Sequence, residues 1–422
     1  MIPTGRSLPN LRAGLAAAIL LAVAFAACSN ATPTPSPTPS PTRTALPTIS
    51  PTPTPTISIV PVPTPHLAAQ SAPAAHLDET KANALQAALN GIRTSGKYPG
   101  VSAAILFPDG SLWAGVSGVA ITSKGTPVTT DTLFSVGSIT KTFVAALIGR
   151  LARIGTIGLD DPLARYVPDF PNAANIAIRQ LLNHTSGIRD LFEVLDTAIL
   201  ANPAATWTVD QVLAHIGKPY FEPGTDYHYS NTDYVLLGLV IEKATGRTVG
   251  DLVRAAFLTP LALNHTYLQT EEEVQGAKAH GYMPTGGVPR DNSAGTMLPF
   301  TAEATAASFA GAYVSTASDL AVWADALYGG RVLDEATLAA MADVTASRAG
   351  PHKPLHLYGY GLGFEETTIA GQVGWGHQGH LDGFWSAMEY VPAYNVTIVV
   401  LTNAEWADPI AAASALGKVA LA

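Results

Sequence analysis

Two segments near opposite ends of the folded part of the chain each contain two short, mainly apolar runs separated by turn residues. The first, residues 101–116, contains the turn sequence Pro108-Asp109-Gly110, and the second, residues 383–401, contains Pro392 and Asn395 between its halves. Runs of strand length on both sides of a turn predict a β-hairpin in each segment. The two hairpins together predict an antiparallel sheet that is assembled from both ends of the chain.

Helical periodicity dominates elsewhere in the folded part of the chain. Residues 78–93 have the pattern of an amphipathic helix, and most of the chain between the two hairpins has helical periodicity interrupted by loops. The patterns therefore predict an α+β fold, with an antiparallel sheet, flanking terminal helices and an inserted helical region.

The start of one predicted helix carries candidate chemistry. Ser138 and Lys141 lie three positions apart, and an apolar run continues to Ile148. Positions i and i+3 are neighbours on one helix face, so the lysine amine can reach the serine hydroxyl. Burial lowers the pKa of a lysine, which can then accept the proton that activates a serine nucleophile. The same pair also fits an ordinary N-cap serine with a solvent-facing lysine.

A second candidate pair, Tyr229 and Asn231, lies between a Pro-Gly turn and a buried apolar run at residues 234–241. A tyrosine at the tip of such a loop can move a proton between a nucleophile and a leaving group. The asparagine amide offers a donor and an acceptor for a substrate amide. A turn with a packed tyrosine is the alternative interpretation.

A glycine-rich stretch near the C-terminus supplies the third set of candidates, His377, Gln378, Gly379 and His380. Glycine lets a substrate approach a strand backbone closely. We expect the backbone N–H of His380 to pair with that of Ser138 as an oxyanion hole, and His377 to face a polar end of the substrate. Two histidines without a nearby Cys or Glu make a weak metal site, so we predict no metal.

The order and spacing of the three sets resemble those of the penicillin-recognising serine hydrolases, whose general pattern is Ser-x-x-Lys, a second motif and a Lys-Thr-Gly-like strand. The Tyr-x-Asn motif resembles the branch that contains class C β-lactamases, D-alanyl-D-alanine carboxypeptidases, D-aminopeptidases and related esterases. The resemblance extends from about residue 77 to the C-terminus and includes residues 155–162, 178–187, 311–320 and 358–364.

This resemblance implies a two-lobed serine β-lactamase/DD-peptidase-like fold with the site in the cleft between the lobes. Residues 78–135 and 305–422 would form an α/β lobe, and residues 136–304 an all-helical lobe. The implied roles are acylated nucleophile for Ser138, proton acceptor for Lys141 and acid/base for Tyr229, without a cofactor. Asn231 and residues 377–380 would bind the substrate, whereas His184 would be mainly structural.

The chain departs from the family pattern at the leaving-group end of the site. His377 replaces the lysine of class C β-lactamases, so a positive charge there would depend on pH, because free histidine titrates near about 6.5. The family's carboxypeptidases place an arginine shortly before this motif, but the matching residues 364–366 are Phe-Glu-Glu. These differences argue against a free D-Ala-D-Ala terminus as the substrate.

The N-terminal region has the pattern of an export signal. Arg6 and Arg12 precede a short apolar run that ends at Cys28, the one cysteine of the chain. We predict a signal peptide over residues 1–27, with a lipid attached to Cys28 as in bacterial lipoproteins; plain cleavage near Ala27 is the alternative. Residues 28–77, rich in Pro and Thr, predict an extended linker.

The formal net charge of −9 argues against nucleic acid as a partner, because phosphate binding requires a basic surface. We predict a monomeric hydrolase, lipid-anchored outside the cytoplasm at the bacterial cell surface. It would act through a Ser138 acyl-enzyme on a small molecule or a peptidoglycan-like substrate, either D-amino-acid peptides of cell-wall type or β-lactams. The alternatives are a carboxylesterase that acts on small acyl esters and a penicillin-binding sensor without turnover.

Overall fold

The structure, a computed structural model, describes residues 77–286, 288–292, 301–345, 347 and 359–422. The predicted signal peptide, the predicted lipid attachment at Cys28 and nearly all of the predicted linker lie outside the described residues. Within these described ranges, no helix combines the length and the apolar character needed to cross a membrane.

Strands from both ends of the chain form the main sheet. The described strands are, in chain order, β1 (Gly100–Leu106), β2 (Leu112–Ile121), β3 (Thr126–Pro127), β4 (Phe134–Ser135), β5 (Tyr267–Leu268), β6 (Tyr282–Thr285), β7 (Val288–Asp291), β8 (Tyr313–Ser315), β9 (Gly359–Tyr360), β10 (Glu365–Ile369), β11 (Gln372–Leu381), β12 (Phe384–Val391) and β13 (Val396–Thr402). Among the described strands, eight form one antiparallel sheet in the order β3-β2-β1-β13-β12-β11-β10-β9. The predicted assembly of the sheet from both chain ends is therefore confirmed.

Helices cover both faces of this sheet. The described α-helices are, in chain order, α1 (Glu79–Gly96), α2 (Thr140–Arg153), α3 (Ile178–Leu182), α4 (Leu191–Ala201), α5 (Val209–Ala214), α6 (Asn231–Thr245), α7 (Val249–Val253), α8 (Thr301–Ala307), α9 (Ala317–Tyr328), α10 (Glu335–Met341) and α11 (Pro409–Ala420). The terminal helices α1 and α11 pack on one face, as predicted, and α9 packs on the opposite face.

The central strands show why helices are needed on both faces. Every residue of β1 and β13 is buried. Side chains alternate along β1, so Val101, Ala103 and Ile105 join the core beneath α1 and α11, while Ala104 and Leu106 join the core that continues into the helical region. Burial of both faces accounts for the nearly continuous apolar sequences of these strands.

Residues 136–304, which correspond to the predicted helical lobe, also contain short strands. β5 joins β4 and β8 in a small sheet, and β6 pairs with β7 as a hairpin. Tyr282 is paired with Asp291 and Thr285 with Val288, and Gly286, which follows β6, has a φ of 58°. Glycine suits this position, since positive φ costs it little. The fold remains α+β and two-lobed.

Candidate active site

The candidate nucleophile lies in a tight turn between β4 and α2. A short 3-10 turn, Gly137–Ile139, leads into the helix and contains Ser138. Gly137 has a φ of 51°, and a Cβ atom built on it would lie 2.5 Å from the backbone nitrogen of His380. Glycine is therefore required here both by the backbone conformation and by the close approach of β11.

Lys141 is fully buried on the first turn of α2. Its Nζ lies 2.8 Å from Ser138 Oγ, 2.7 Å from Asn231 Oδ1 and 2.9 Å from the carbonyl oxygen of Ala310. The predicted contact between Lys141 and Ser138 is thus confirmed. Burial lowers the pKa of Lys141 to about 7, against the opposing effects of Asp190, Glu365 and Asp233. A substantial fraction of the amine is therefore unprotonated near neutral pH and can accept a proton.

Tyr229 lies on the other side of the nucleophile. Its ring centroid lies 4.8 Å from Lys141 Nζ, and its hydroxyl interacts with the side chain of Ser138. Burial raises the pKa of Tyr229 well above the usual value for a tyrosine, although the bond to Ser138 opposes this shift. The resting side chain is therefore a protonated phenol, which makes it an acid beside a lysine that can act as a base.

Asn231, the first residue of α6, contacts the candidate base. Its Oδ1 accepts the bond from Lys141, and its Nδ2 donates to Asp190 Oδ2 at 2.7 Å. The side-chain amide thus links Asp190 to Lys141 and positions the lysine. The second amide N–H is not used by these bonds, and the contact of Asn231 with a substrate amide stays a prediction.

The loop that carries Tyr229 is held by His184, a fully buried residue with a φ of 60°. The His184 carbonyl accepts a hydrogen bond from the His228 backbone at 3.0 Å, and its Nδ1 accepts one from the Ser230 backbone at 3.2 Å. Its ring also lies against the Tyr229 ring, with 4.3 Å between centroids. Asp233 Oδ2 lies 3.0 Å from the same Nδ1.

The predicted third motif runs along β11. A Cβ on Gly379 would lie 1.9 Å from the carbonyl oxygen of Val136, so only glycine lets the strand pass the nucleophile turn at this distance. Gln378 N donates to Glu365 Oε2 at 3.1 Å, which places its N–H on the edge of β11 that faces β10. Backbone N–H groups of alternate residues point to the same edge, so that of His380 points there too, beyond the end of β10 and beside Gly137. This arrangement supports the predicted oxyanion hole.

The contact of His377 with the substrate stays a prediction, but the surroundings of this side chain disfavour the expected conditional positive charge. Its side chain is only 1% exposed, and its Nε2 lies 2.9 Å from the hydroxyl of Tyr360. Burial, reinforced by Lys141, lowers the pKa of His377 to about 3. The imidazole is consequently neutral and packs behind Tyr229, with 6.4 Å between the ring centroids. Glu365, near the position of the expected arginine, lies 3.7 Å from His377 Nδ1.

His380 differs from the other motif residues because its side chain lies partly in solvent. Its Nε2 lies 2.8 Å from Glu405 Oε1, and its ring packs on Trp385. One ligand-type atom from each of His380, Asp382 and Glu405 lies within 4.8 Å of the others. Glu405, which follows β13, is distant from these histidines in sequence, and the fold brings it to His380. The absence of a metal remains a prediction.

Several residues that sequence reasoning did not identify complete the site. Asp190 holds Asn231, Asp233 contacts His184, and Tyr360 contacts His377. More than forty residues of sequence separate Asp190 from Asn231, and likewise Asp233 from His184. The local sequence around the two aspartates does not indicate these contacts. Asp190 alone has a local signal, since it precedes an apolar run as the N-cap of α4.

The comparison with known proteins agrees with this geometry. The sequence model of the Beta-lactamase family matches residues 82–419. Penicillin-binding protein 4 of Amycolatopsis lactamdurans is 31% identical over 331 residues, covering 75% of this chain and 84% of that protein.

Solved structures of similar proteins cover the same region. D-amino acid amidase from Ochrobactrum anthropi SV3 matches with a TM-score of 0.71 and 27% identity, covering 81% of this chain and 98% of that one. D-stereospecific amidohydrolase from Streptomyces sp. matches with a TM-score of 0.67 and 30% identity, covering 80% and 97%. The chain has a buried lysine 2.8 Å from its candidate serine nucleophile, and the family model matches most of its length. It therefore belongs to the Beta-lactamase family of penicillin-recognising serine hydrolases.

Proposed function

We propose that this serine hydrolase forms an acyl-enzyme at Ser138 and cleaves amide bonds of D-amino-acid peptides or amides, or of β-lactams. The observation that carries the proposal is the 2.8 Å contact between Ser138 Oγ and the buried amine of Lys141. A serine becomes a useful nucleophile only when a nearby base takes its proton, and the lowered pKa of Lys141 makes it such a base.

Acylation moves two protons, one from Ser138 to Lys141 and one from Tyr229 to the leaving amine. Ser138 Oγ attacks the substrate carbonyl carbon while Lys141 takes the hydroxyl proton. The resulting oxyanion accepts hydrogen bonds from the backbone N–H groups of Ser138 and His380. Tyr229 then protonates the leaving amine as the carbon–nitrogen bond breaks, which leaves an acyl-enzyme, a protonated lysine and a phenolate.

Deacylation restores the starting state. The phenolate of Tyr229 takes a proton from water, which attacks the ester carbonyl. Lys141 returns its proton to Ser138 Oγ as the carbon–oxygen bond breaks, and the acid is released. In this scheme the phenolate forms only when Tyr229 gives its proton to the leaving group. This order is consistent with the raised pKa of Tyr229 in the resting site.

The names of the relatives support this substrate class. The similar solved structures include a D-amino acid amidase and a D-stereospecific amidohydrolase, and a similar protein is named for penicillin binding. One observation favours a carboxylesterase as a second candidate. Where a cation would attract a substrate carboxylate, the described residues of the leaving-group end place a neutral His377 and a buried Glu365.

The test is intact-mass analysis of the full chain with penicillin, with Ser138→Ala as the control. A stoichiometric mass increase in the wild type alone, or Ser138-dependent loss of the penicillin, is the expected result. An adduct that never decays would favour the sensor, whereas hydrolysis of p-nitrophenyl esters without reaction with penicillin or D-amino-acid amides would favour the esterase.

We also propose that the enzyme works outside the cytoplasm, anchored through a lipid on Cys28. The sequence of residues 1–28 supports this location. Metabolic labelling with a radioactive fatty acid should mark the wild type and not Cys28→Ser. Equal labelling of both proteins, or of neither, would contradict the anchor without affecting the proposed chemistry.

A further inference from the structure

The positions of the acid and the oxyanion hole give the cleft a direction. Tyr229, which would protonate the leaving group, packs near His377, at 6.4 Å between ring centroids. The N–H of His380, which would bind the carbonyl oxygen, lies three residues further along β11. A leaving group therefore lies toward His377, and the acyl part of the substrate extends in the opposite direction, toward Asp382 at the end of the strand.

Carboxylates gather at this acyl end. Asp382 lies in the turn between β11 and β12, and Glu405 and the side chain of His380 lie close to it, with one polar atom of each within 4.8 Å of the others. Burial raises the pKa of Asp382, and its acidic neighbours Glu405 and Asp196 raise it further, whereas His380 opposes the shift. This end of the cleft is thus strongly acidic.

A buried carboxylate adds an independent sign of a missing partner. Glu303, on α8, is only 6% exposed, and its Oε1 accepts a hydrogen bond from the Asp382 backbone at 3.0 Å. Its Oε2 is buried, and no described residue donates to it. Burial raises the pKa of Glu303 well above its usual value, so without a cation nearby the side chain is held as a neutral acid with an unpartnered Oε2. An ammonium ligand would supply a donor to this oxygen and stabilise the ionised form.

We propose that the acidic end formed by Asp382, Glu303 and Glu405 binds a protonated amine on the acyl part of the substrate. The inference rests on the proposed function, because it needs a substrate acylating Ser138. Asp382 lies two residues beyond His380, roughly 7 Å along an extended strand. The amine therefore belongs to the amino terminus of an acyl dipeptide or to the side chain of a basic D-residue, at that distance from the scissile carbonyl.

The contacts favour an amine over a metal ion. His380 Nε2 and Glu405 Oε1 already contact each other at 2.8 Å, and Glu405 Oε2 accepts from Gly383 N at 2.7 Å. At this acidic end, Glu303 Oε2 has no donor among the described residues, and the carboxyl group of Asp382 lies beside it in the turn after β11. Two carboxylates on one side of a cleft suit an ammonium group with three N–H donors.

The experiment compares two substrates that differ only in the amine, D-Ala-D-Ala p-nitroanilide and its N-acetyl derivative, with the full chain. The wild type is expected to prefer the free amine by about ten-fold or more in kcat/KM, since hydrogen bonds to charged groups are worth that much. Asp382→Asn and Glu303→Gln should bring this ratio close to one. Asp210→Asn, an exposed acid on α5, is the matched control and should keep the wild-type ratio.

The ratio of kcat/KM for the two substrates is measured within each variant. A general loss of activity lowers both values and leaves this ratio unchanged, whereas a loss of amine recognition changes it. Equal or better hydrolysis of the acetylated substrate by the wild type would overturn the inference and leave the proposed function intact. Loss of the preference on adding EDTA would assign the acidic end to a metal and also overturn it. If neither substrate is hydrolysed and neither acylates Ser138, the proposed function fails for this class and the inference fails with it.

Discussion

His184 holds Tyr229 from three sides. Its carbonyl and its Nδ1 accept hydrogen bonds from the backbone on either side of the tyrosine, and its ring packs on the tyrosine ring at 4.3 Å. The prediction that His184 is mainly structural agrees with these contacts, but the part that it supports is the candidate catalytic acid. His184 is therefore a positioning residue for Tyr229.

We expect His184→Asn to lower kcat by roughly ten- to a hundred-fold, because Tyr229 would be misplaced but still present. Removing the phenol of Tyr229 itself should lower kcat further, since a general acid typically contributes more than this to the rate. KM should change little, since the ring does not face the substrate. Steady-state kinetics with burst analysis is the measurement, because a misplaced Tyr229 should also slow deacylation. His215→Asn, on an exposed helix end, is the control. A purely structural role would instead lower the melting temperature while active folded enzyme kept its kcat.

The lowered pKa of Lys141 predicts the pH dependence of acylation. Lys141 must be unprotonated to accept the Ser138 proton, and burial lowers its pKa to about 7 from the usual 10.5. The value of kcat/KM should therefore rise with pH through about 7. The carboxylate of Glu365 raises the pKa of Lys141, so Glu365→Gln should move this limb to lower pH. A limb that stays in place or moves to higher pH in the variant would assign it to another group.

The close approach of Gly137 to His380 predicts a sharp effect of a single methyl group. Gly137→Ala would place Cβ 2.5 Å from the His380 nitrogen and disturb both candidate oxyanion donors. We expect the acylation rate to fall by about a hundred-fold or more, as measured by the rate of mass increase with penicillin.

Gly125→Ala is a matched control for this substitution. Gly125 also has a positive φ, 62°, but nothing lies within 4 Å of the added Cβ. Alanine there should lower the free energy of unfolding by about 1 kcal/mol and leave acylation unchanged. Equal loss of acylation in both variants would mean that backbone strain, rather than the contact with β11, causes the effect.

Glu389 predicts a dependence of stability on pH. It is fully buried on β12, its Oε2 accepts a bond from Thr367, and its Oε1 has no described partner. Burial raises the pKa of Glu389 from 4.5 to about 8. The folded protein thus holds this proton more tightly than the unfolded chain does. The stability contributed by the protonated group is present below about pH 4.5 and is lost as the pH rises through about 8.

Glu389→Gln should keep the shape of the side chain and remove this loss. We expect the free energy of unfolding of the variant, relative to wild type, to increase on the order of 3 kcal/mol between pH 6 and pH 9, measured by urea denaturation. Glu273→Gln, at an exposed position, should show no such trend. A constant difference between Glu389→Gln and wild type would contradict the raised pKa.

Features predicted correctly from the sequence depend on residues close together in the chain. The contact between Lys141 and Ser138 follows from one helical turn, and the hairpins at both ends follow from apolar runs on both sides of turn residues. The helix α1 begins after Asp78, whose side chain accepts from the Thr80 backbone as an N-cap. Such local rules apply without knowledge of the rest of the fold.

Predictions about individual side chains in the third motif were less successful, because burial depends on what packs from elsewhere. The sequence shows a histidine at position 377 but not that Tyr360 and Tyr229 would enclose it and keep it neutral. Likewise, the spacing of Asn231 from Tyr229 does not reveal that its amide would bind Lys141, ninety residues earlier.

The sequence by itself determined the family, the nucleophile with its lysine, the tyrosine and the sheet built from both chain ends. These rest on short-range spacing and on periodicity, which each segment carries with it. The tertiary structure alone decided which groups are charged and which end of the cleft is acidic. A pKa depends on burial and on neighbours such as Glu303, Asp382 and Glu405, which come from three separate parts of the chain and meet only when it folds.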